Sequence, residues 1–148
     1  MKPVTSFEGR LSVPYHWHYG KVLSEFFEGL RNRKFLASKC PQCGRVSLPP
    51  TSFCGICYVP VSGDLMSIST VCRIDTFTVV RFKYPGQLLP PPYAVGVLKP
   101  VEADTRFHHL VRSENLDAIN IGAAVKPVWR EEREGEFFDI EYFEPVEK

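Results

Sequence analysis

The chain has 148 residues, of which 44% are hydrophobic and 24% charged, a composition typical of a folded soluble protein and not of a disordered one. Its 18 basic and 17 acidic side chains leave a formal net charge of +1, which argues against a general attraction to nucleic acid or to an anionic membrane. No apolar run approaches the roughly 18 residues that a membrane helix requires. The opening MKPVTSFEGR has neither an apolar core nor a cleavage signature, so we expect no signal peptide and a cytoplasmic protein.

The first segment, residues 1–36, is predicted to be an irregular arm over residues 1–14 and an amphipathic helix within residues 15–36. Its apolar residues recur at i, i+3, i+4 and i+7, the spacing of one face of a helix. This face comprises Leu23, Phe26, Phe27 and Leu30.

The second segment, residues 37–62, contains two Cys-x-x-Cys pairs separated by ten residues. Two such turns can present four thiolates to one tetrahedral zinc ion at about 2.3 Å. The gap is shorter than the roughly 15 to 20 residues of the usual four-cysteine pattern, which a short zinc ribbon tolerates. Iron is the rival metal, because four thiolates suit it too. The predicted ligands are Cys40, Cys43, Cys54 and Cys57.

Four thiolates fill a tetrahedral coordination sphere, so the metal has no open position for substrate and its predicted role is structural. Gly44 follows the first pair and can adopt a positive φ. Tyr58 follows the second pair, so we expect two turns that are not identical. The apolar residues of this segment do not recur at the spacing of a helix or a strand. We therefore expect its structure to be held by something other than regular strand pairing.

The third segment, residues 63–148, shows the alternation of strands. In its first strand the apolar residues occupy alternate positions, and this alternation shifts by one residue near Asp75 and Thr76, which predicts a bulge. Residues 93–100 and 106–112 flank a short polar turn and form one predicted hairpin.

A second hairpin is predicted from residues 123–132 and 136–144. Pro127 lies inside its first strand, which should therefore be an edge strand or begin there. About five strands with a long, bent first strand favour a mainly β fold with an OB-type barrel. A five-stranded sandwich is the alternative.

The remaining candidates for chemistry give no catalytic constellation. Cys72 lies in the middle of a predicted strand, on the same face as the apolar residues, and is expected to be buried as a small hydrophobic side chain. His108 and His109 are adjacent in a strand, so they face opposite sides and cannot readily share a ligand. The sequence has no phosphate-binding loop, no nucleophile elbow and no zinc-protease motif. No catalytic residue is predicted.

Two other stretches stand out. YHWHYGKVLSEFF, residues 15–27, is rich in aromatic rings and is either a cover for the barrel or a surface that docks on a partner protein through Trp17, Phe26 and Phe27. In VVRFKYPGQLLPPPYAVG, residues 79–96, two cations precede a stiff loop. That loop either joins two strands or lines a cleft for an elongated anionic ligand.

The order of these parts resembles the acyl-CoA-associated zinc-ribbon/OB-fold family, long known as a domain of unknown function and often described as nucleic-acid-binding-like. The resemblance covers roughly residues 20–145, and its most specific marks are the cysteine ribbon with its LPP stretch and the IG-x-x-V before the late strands. It implies a rubredoxin-like zinc ribbon and an OB-fold barrel, with the four ribbon cysteines matching the metal ligands of the family. It carries over no catalytic residue.

The resemblance also implies a function. The chain would be a non-catalytic accessory subunit in a hetero-oligomer with a thiolase-like enzyme, which makes or breaks a carbon–carbon bond in an acyl-CoA thioester. It would stabilise this partner and help to bind or channel acyl-CoA, with a bulky aromatic or branched acyl group, as met in aromatic-compound degradation, as one possibility. The residues predicted to contact acyl-CoA are Arg81, Lys83, Tyr84 and Tyr93.

Two other functions compete with this interpretation. A nucleic-acid-binding module is conceivable because zinc ribbons and OB barrels bind nucleic acid elsewhere, although the charge balance opposes it. A stand-alone acyl-CoA hydrolase is the other, and no nucleophile–base pair in the sequence supports it.

Overall fold

The computed structural model of the protein describes residue 9 and residues 11–146, so most of the arm predicted over residues 1–14 lies outside the described residues. The described part contains one α-helix, two 3-10 helices and eight strands. The helices are α1 (Gly20–Arg31) and the 3-10 helices Leu116–Ala118 and Phe137–Asp139. The strands are β1 (Phe35–Lys39), β2 (Val46–Ser47), β3 (Met66–Ile68), β4 (Cys72–Val80), β5 (Tyr93–Pro100), β6 (Phe107–Val111), β7 (Ala124–Trp129) and β8 (Ile140–Pro145). Among the described helices, none has the length and apolar character needed to cross a bilayer.

Helix α1 carries the predicted apolar face. Phe26, Phe27 and Leu30 are buried, and Leu23 packs at the margin of the core. The helix passes close to β1 because Gly29 has no side chain: a Cβ there would lie 2.7 Å from the Cγ atom of Leu36. The helix is therefore held against the rest of the protein.

The cysteine segment contains a small antiparallel sheet in the order β2-β1-β3. In β1, Ser38 pairs with Ser47 of β2 and Phe35 pairs with Ile68 of β3. The expectation that this segment lacks a regular ladder is therefore wrong. β1 crosses the boundary predicted between residues 36 and 37, and β3, its partner, lies beyond residue 62.

The third segment forms a closed barrel in the order β4-β5-β6-β8-β7. Neighbouring strands are antiparallel except for β6 and β8, which are parallel, and β7 closes the barrel on β4. This is the five-stranded OB-type barrel that the sequence predicts, and it excludes the sandwich. The predicted bulge is confirmed by a register shift between Ile74 and Thr76.

Both predicted hairpins are confirmed, as β5–β6 and β7–β8. Pro127 pairs with Phe143 of β8, whereas β7 pairs with β4 only at Ala124 and Val125. At Pro127 one side of β7 is thus a free edge, so the missing N–H removes no bond of the barrel.

One hydrophobic core joins the helix, the small sheet and the barrel. Phe35 of β1 is fully buried within it, and its ring centroid lies 6.2 Å from that of Phe107, 6.1 Å from that of Trp129 and 6.5 Å from that of Phe143. Aromatic pairs at such distances stabilise a core beyond the area they bury. The cysteine segment is therefore anchored through β1 rather than attached as a loose appendage.

Candidate metal centre

The four predicted ligands lie together. The sulfur atoms of Cys40, Cys43, Cys54 and Cys57 are all within 4.8 Å of one another, and those of Cys43 and Cys54 are 3.8 Å apart. In a tetrahedral site with zinc–sulfur bonds of about 2.3 Å, neighbouring sulfurs are about 3.8 Å apart. The donor atoms and their spacing therefore fit one zinc ion.

The two cysteine turns have the same backbone conformation. The N–H of Gly44 donates to the carbonyl of Cys40 at 3.0 Å, and the N–H of Tyr58 donates to the carbonyl of Cys54 at 2.9 Å. Gly44 has a φ of 72° and Tyr58 a φ of 54°, so both take the left-handed conformation. The expectation of two different turns is thus wrong for the backbone, and Tyr58 adopts a conformation that glycine accepts more easily.

Electrostatics in the cluster favours a bound cation. Hydrogen bonds from the backbone N–H groups of Cys57 and Ile56 lower the pKa of the Cys54 thiol to about 6. The hydrogen bond with Cys43 raises the pKa of the Cys57 thiol to about 12. Four thiols in contact cannot all ionise unless a positive charge balances them, and a divalent ion supplies that charge.

The turn between β5 and β6 clamps the ribbon to the barrel. The N–H of Val46 donates to the Asp104 carboxylate at 2.9 Å, and the N–H of Asp104 donates to the Val46 carbonyl, also at 2.9 Å. Thr105 bonds to both backbone groups of Leu48. These contacts were not predicted, because a short turn has no sequence period that identifies its distant partner.

The three predicted docking residues are placed differently from one another. Trp17 is exposed, ahead of the helix. Phe26 and Phe27 are buried, and their ring centroids lie 5.6 Å and 5.3 Å from that of Phe137. Of the two alternatives, a cover for the barrel therefore accounts for Phe26 and Phe27. Trp17 is the one residue of the three whose exposure leaves it available to a partner.

The predicted acyl-CoA residues lie in or beside the connection between β4 and β5. Arg81, Lys83 and Tyr84 are exposed, whereas Tyr93 is only 2% exposed. The hydroxyl oxygens of Tyr84 and Tyr93 are 3.5 Å apart, and their hydrogen bond raises the pKa of Tyr84. Gln87 holds the connection in shape, since its side chain accepts from the N–H of Tyr84.

Cys72 and His109 lie in the core. Burial raises the pKa of the Cys72 thiol to about 12 and lowers the pKa of His109, so both are held in their neutral forms. The Nε2 atom of His109 is 3.4 Å from the carbonyl oxygen of Phe137, and Nδ1 has no hydrogen-bond partner among the described residues. The exposed His108 faces away from His109, as predicted.

A wide groove of about 1450 Å³ is lined by the connection from β6 to β7 and by residues of β7 and β8, with Arg73 from β4. The Arg112 guanidinium lies 5.8 Å from the centre of the Tyr142 ring, and Lys126 forms an ion pair with Glu144 at 3.3 Å. Three cations and two carboxylates line the groove, so its charges nearly balance and it has no strong attraction for a polyanion. Sequence reasoning missed this groove, because the connection that supplies most of its lining has no hydrophobic period and no binding motif.

Comparisons with known proteins agree with this geometry. Residues 27–61 match the family model described as the ChsH2 rubredoxin-like zinc ribbon domain. No curated protein matched the sequence. A solved protein of unknown function from the DUF35 family of Sulfolobus solfataricus is 23% identical, with a TM-score of 0.62 over 74% of this chain and 78% of that chain.

A second solved structure is an Ltp2-ChsH2(DUF35) aldolase, which is 22% identical, with a TM-score of 0.60 over 82% of this chain and 91% of that chain. At these identities the likeness shows a shared fold. The chain is thus similar to ChsH2 in its zinc ribbon and to DUF35 proteins in its fold, which confirms the resemblance found in the sequence.

Proposed function

We propose that the chain is a non-catalytic accessory subunit of a thiolase-like enzyme that acts on an acyl-CoA thioester. The observation that carries this proposal is the shared fold with a chain of the Ltp2-ChsH2(DUF35) aldolase, which extends over 91% of that chain. Aldolases make or break carbon–carbon bonds, the reaction class that the sequence resemblance also implies. The chain would form a hetero-oligomer with its partner and help to bind or channel acyl-CoA.

The placement of the reactive side chains supports a non-catalytic role. A nucleophilic cysteine requires an accessible thiolate, but Cys72 is buried and its pKa is raised to about 12. His109 is buried away from solvent and cannot serve as a general base for a bound substrate. The catalytic groups would therefore come from the partner.

Zinc at the four cysteines would supply folding free energy. It would be held by Cys40, Cys43, Cys54 and Cys57 and would cross-link the two turns of the ribbon. With four thiolates around it, the ion would have no position for a substrate atom. Its role would be to keep the ribbon, and through β1 the core, in shape.

The connection between β4 and β5 would border the acyl-CoA path. CoA carries phosphate groups on a long flexible arm, so its site needs cations near the nucleotide and an apolar wall toward the thioester. Arg81 and Lys83 are exposed cations of this connection, and Phe82 and Leu88 are exposed apolar side chains. Tyr93, which is buried, would act by positioning the Tyr84 ring through their hydroxyl contact.

Co-expression of the full chain with a thiolase-like enzyme of the same organism, taken from a neighbouring gene where one is present, tests the proposal. We expect one complex on gel filtration that cleaves or forms a carbon–carbon bond in an acyl-CoA, and no turnover by the zinc-loaded chain alone. Straight-chain, branched and aromatic acyl-CoA compounds should be compared. Turnover by the isolated chain, or failure of the two proteins to co-elute, would overturn the proposal.

A further inference from the structure

The segment just before α1, residues 11–19, lies exposed along its whole length and is in neither helix nor strand. Apolar and aromatic side chains occupy every second position, with serine, proline or histidine between them. The exposed fractions are 90% for Leu11, 65% for Val13, 81% for Tyr15, 67% for Trp17 and 42% for Tyr19.

This alternation is the pattern of an amphipathic strand. In an extended chain successive side chains point to opposite faces, so the odd-numbered residues of the segment would form one apolar face and the even-numbered residues one polar face. In a helix, with 3.6 residues per turn, the same residues would be spread around the axis. The sequence of the segment therefore favours an extended conformation.

The exposed apolar surface is large for nine residues. A tyrosine or tryptophan can bury about 150 to 250 Å², and the segment has three such rings, on Tyr15, Trp17 and Tyr19. A stable protein interface buries about 800 Å² on each partner. The segment could thus supply a large share of an interface, and an exposed apolar surface of this size marks an interaction site.

Pro14 makes the two edges of the extended segment unequal. The backbone N–H and C=O groups of one strand residue point to one side, and those of the next residue point to the other. Pro14 has no N–H, so it interrupts the edge formed by the even-numbered residues. The edge formed by the odd-numbered residues keeps all of its donors and can pair with another strand.

The described part of the chain offers no strand that suits this edge. In the closed barrel the free edge of β7 is interrupted by Pro127, which has no N–H, and the outer strands of the small sheet, β2 and β3, have only two and three residues. Pairing of two such segments from two copies would make an isolated two-stranded ribbon, which is at best marginally stable in water. Neither the described strands nor a second copy of the segment offers a stable pairing, which favours a strand of a different protein.

The segment leaves the fold from a fixed point. The Tyr19 ring packs against Phe27 of α1 with centroids 5.0 Å apart, and Trp17 packs against Tyr19 at 6.0 Å. Phe27 is itself buried in the core. Residues 11–16 therefore project from a rigid base, which limits the conformational entropy lost on docking.

We infer that residues 11–19 dock on the partner enzyme as an added β-strand. The odd-numbered edge would pair with an exposed sheet edge of that enzyme, and the odd-numbered side chains would be buried in apolar pockets beside it. This inference rests on the proposed function for the identity of the partner. It adds the element that binds, the edge that pairs and the face that is buried.

Two matched double variants of the full chain test the buried face. Tyr15→Ser with Trp17→Ser removes two rings from the apolar face, and His16→Ser with His18→Ser removes two rings from the polar face. Truncating central aromatic residues of an interface commonly costs 2 kcal/mol or more each. We expect the first variant to weaken binding to the partner by between about thirtyfold, the effect of one ring, and about a thousandfold, the effect of both. The second should leave the affinity within about threefold, within the usual effect of surface substitutions.

Two proline variants test the paired edge. Val13→Pro removes an N–H from the odd-numbered edge, whereas His16→Pro removes one from the edge that Pro14 already interrupts. Only Val13→Pro should weaken the complex beyond the effect of Val13→Ala. Zinc content and circular dichroism should match the wild type for every variant, because the segment lies outside the core.

The outcomes separate the inference from the proposed function. If the wild-type chain and the enzyme form no complex, the proposed function fails and the inference fails with it. If the complex forms and both double variants bind alike, the inference fails and the proposed function stands. If the odd-numbered changes abolish only self-association of the chain, the occupant is a second copy and the inference is overturned.

Discussion

Thr105 and Leu48 exchange two hydrogen bonds across 57 residues of sequence. The Thr105 hydroxyl accepts from the N–H of Leu48 at 2.8 Å and donates to the carbonyl of Leu48 at 2.7 Å. Leu48 belongs to the stretch between the two cysteine pairs and is fully buried, while Thr105 lies in the turn between β5 and β6. One side chain therefore satisfies both backbone groups of a buried residue and joins the zinc ribbon to the barrel.

Replacing Thr105 tests this joint. Thr105→Val keeps the shape of the side chain but leaves the N–H and the C=O of Leu48 without partners. We expect the free energy of unfolding to fall by about 1 to 3 kcal/mol, measured by urea denaturation with zinc present. Thr105→Ser keeps the hydroxyl and should lose less. Equal stability of the valine variant and the wild type would contradict a role for this joint.

Metal analysis tests the cysteine cluster. We expect about one zinc ion per chain, because the four sulfurs fit a tetrahedral site. Cys43→Ser should reduce the bound zinc well below one per chain and increase hydrogen exchange over residues 37–62 more than over the barrel. Cys72→Ala should retain the metal, because Cys72 lies in the core outside the cluster. Iron in place of zinc, or a folded metal-free protein, would contradict the assignment.

Because Gly44 and Tyr58 both have a left-handed backbone, introducing glycine at residue 58 and removing it at residue 44 should change stability in opposite directions. Tyr58→Gly should raise the free energy of unfolding by about 0.5 to 1 kcal/mol, since a non-glycine residue in the left-handed conformation costs roughly 1 to 2 kcal/mol and glycine offsets part of this by its greater freedom when unfolded. Gly44→Ala should lower stability for the same reason. Gly55→Ala is the control, because a Cβ there meets no atom within 4 Å and its φ is not left-handed. Thermal unfolding of the zinc-loaded variants measures these effects.

The extent to which sequence predicted the site differs from residue to residue. Cys40 and Cys43 could be assigned from spacing alone, because ligand type and separation nearly determine metal binding. The buried face containing Phe26 and Phe27 could be located from its period, but a period cannot show whether the same protein or a partner covers it. The bonds of Thr105 to Leu48 have no sequence signal, because they join a turn to an irregular stretch far away in the chain.

Short elements also escaped prediction. β2 and β3 have two and three residues, too few to show an alternation, and they are strands only because they pair with β1. The alternation in residues 11–19 is visible in the sequence. It crosses the boundary at residue 14 between the predicted arm and the predicted helical segment, so neither segment contains the whole pattern.

His109 should make stability depend on pH. Burial lowers its pKa in the folded protein below the ordinary value of 6.5, so the unfolded chain binds this proton more readily. The stability contributed by neutral His109 is complete above pH 6.5 and is lost as the pH falls from there toward the folded-state pKa. His109→Phe should therefore lose less stability than the wild type between about pH 7.5 and 5.5.

Denaturant titrations at the two pH values measure this difference, and acid release of zinc affects the wild type and the variant alike. His108→Gln is the control, since His108 is exposed on the other side of β6. The same pH dependence in His109→Phe and the wild type would show that His109 does not carry the effect.

The cations of the β4–β5 connection should affect substrate binding in the assembled enzyme. Arg81→Ala combined with Lys83→Ala should raise the KM for acyl-CoA about threefold to tenfold, because each exposed charge contact contributes up to about 1 kcal/mol. The kcat should change less, since a contact equal in the ground and transition states affects mainly KM. The effect should shrink at high salt, where exposed charges are screened.

Lys126→Ala is the matched control. Lys126 is exposed on β7, and β7 pairs with the end of β4 that lies opposite this connection. An unchanged KM in the double variant, with the complex intact, would make the connection a simple link between strands and place the CoA site wholly on the partner.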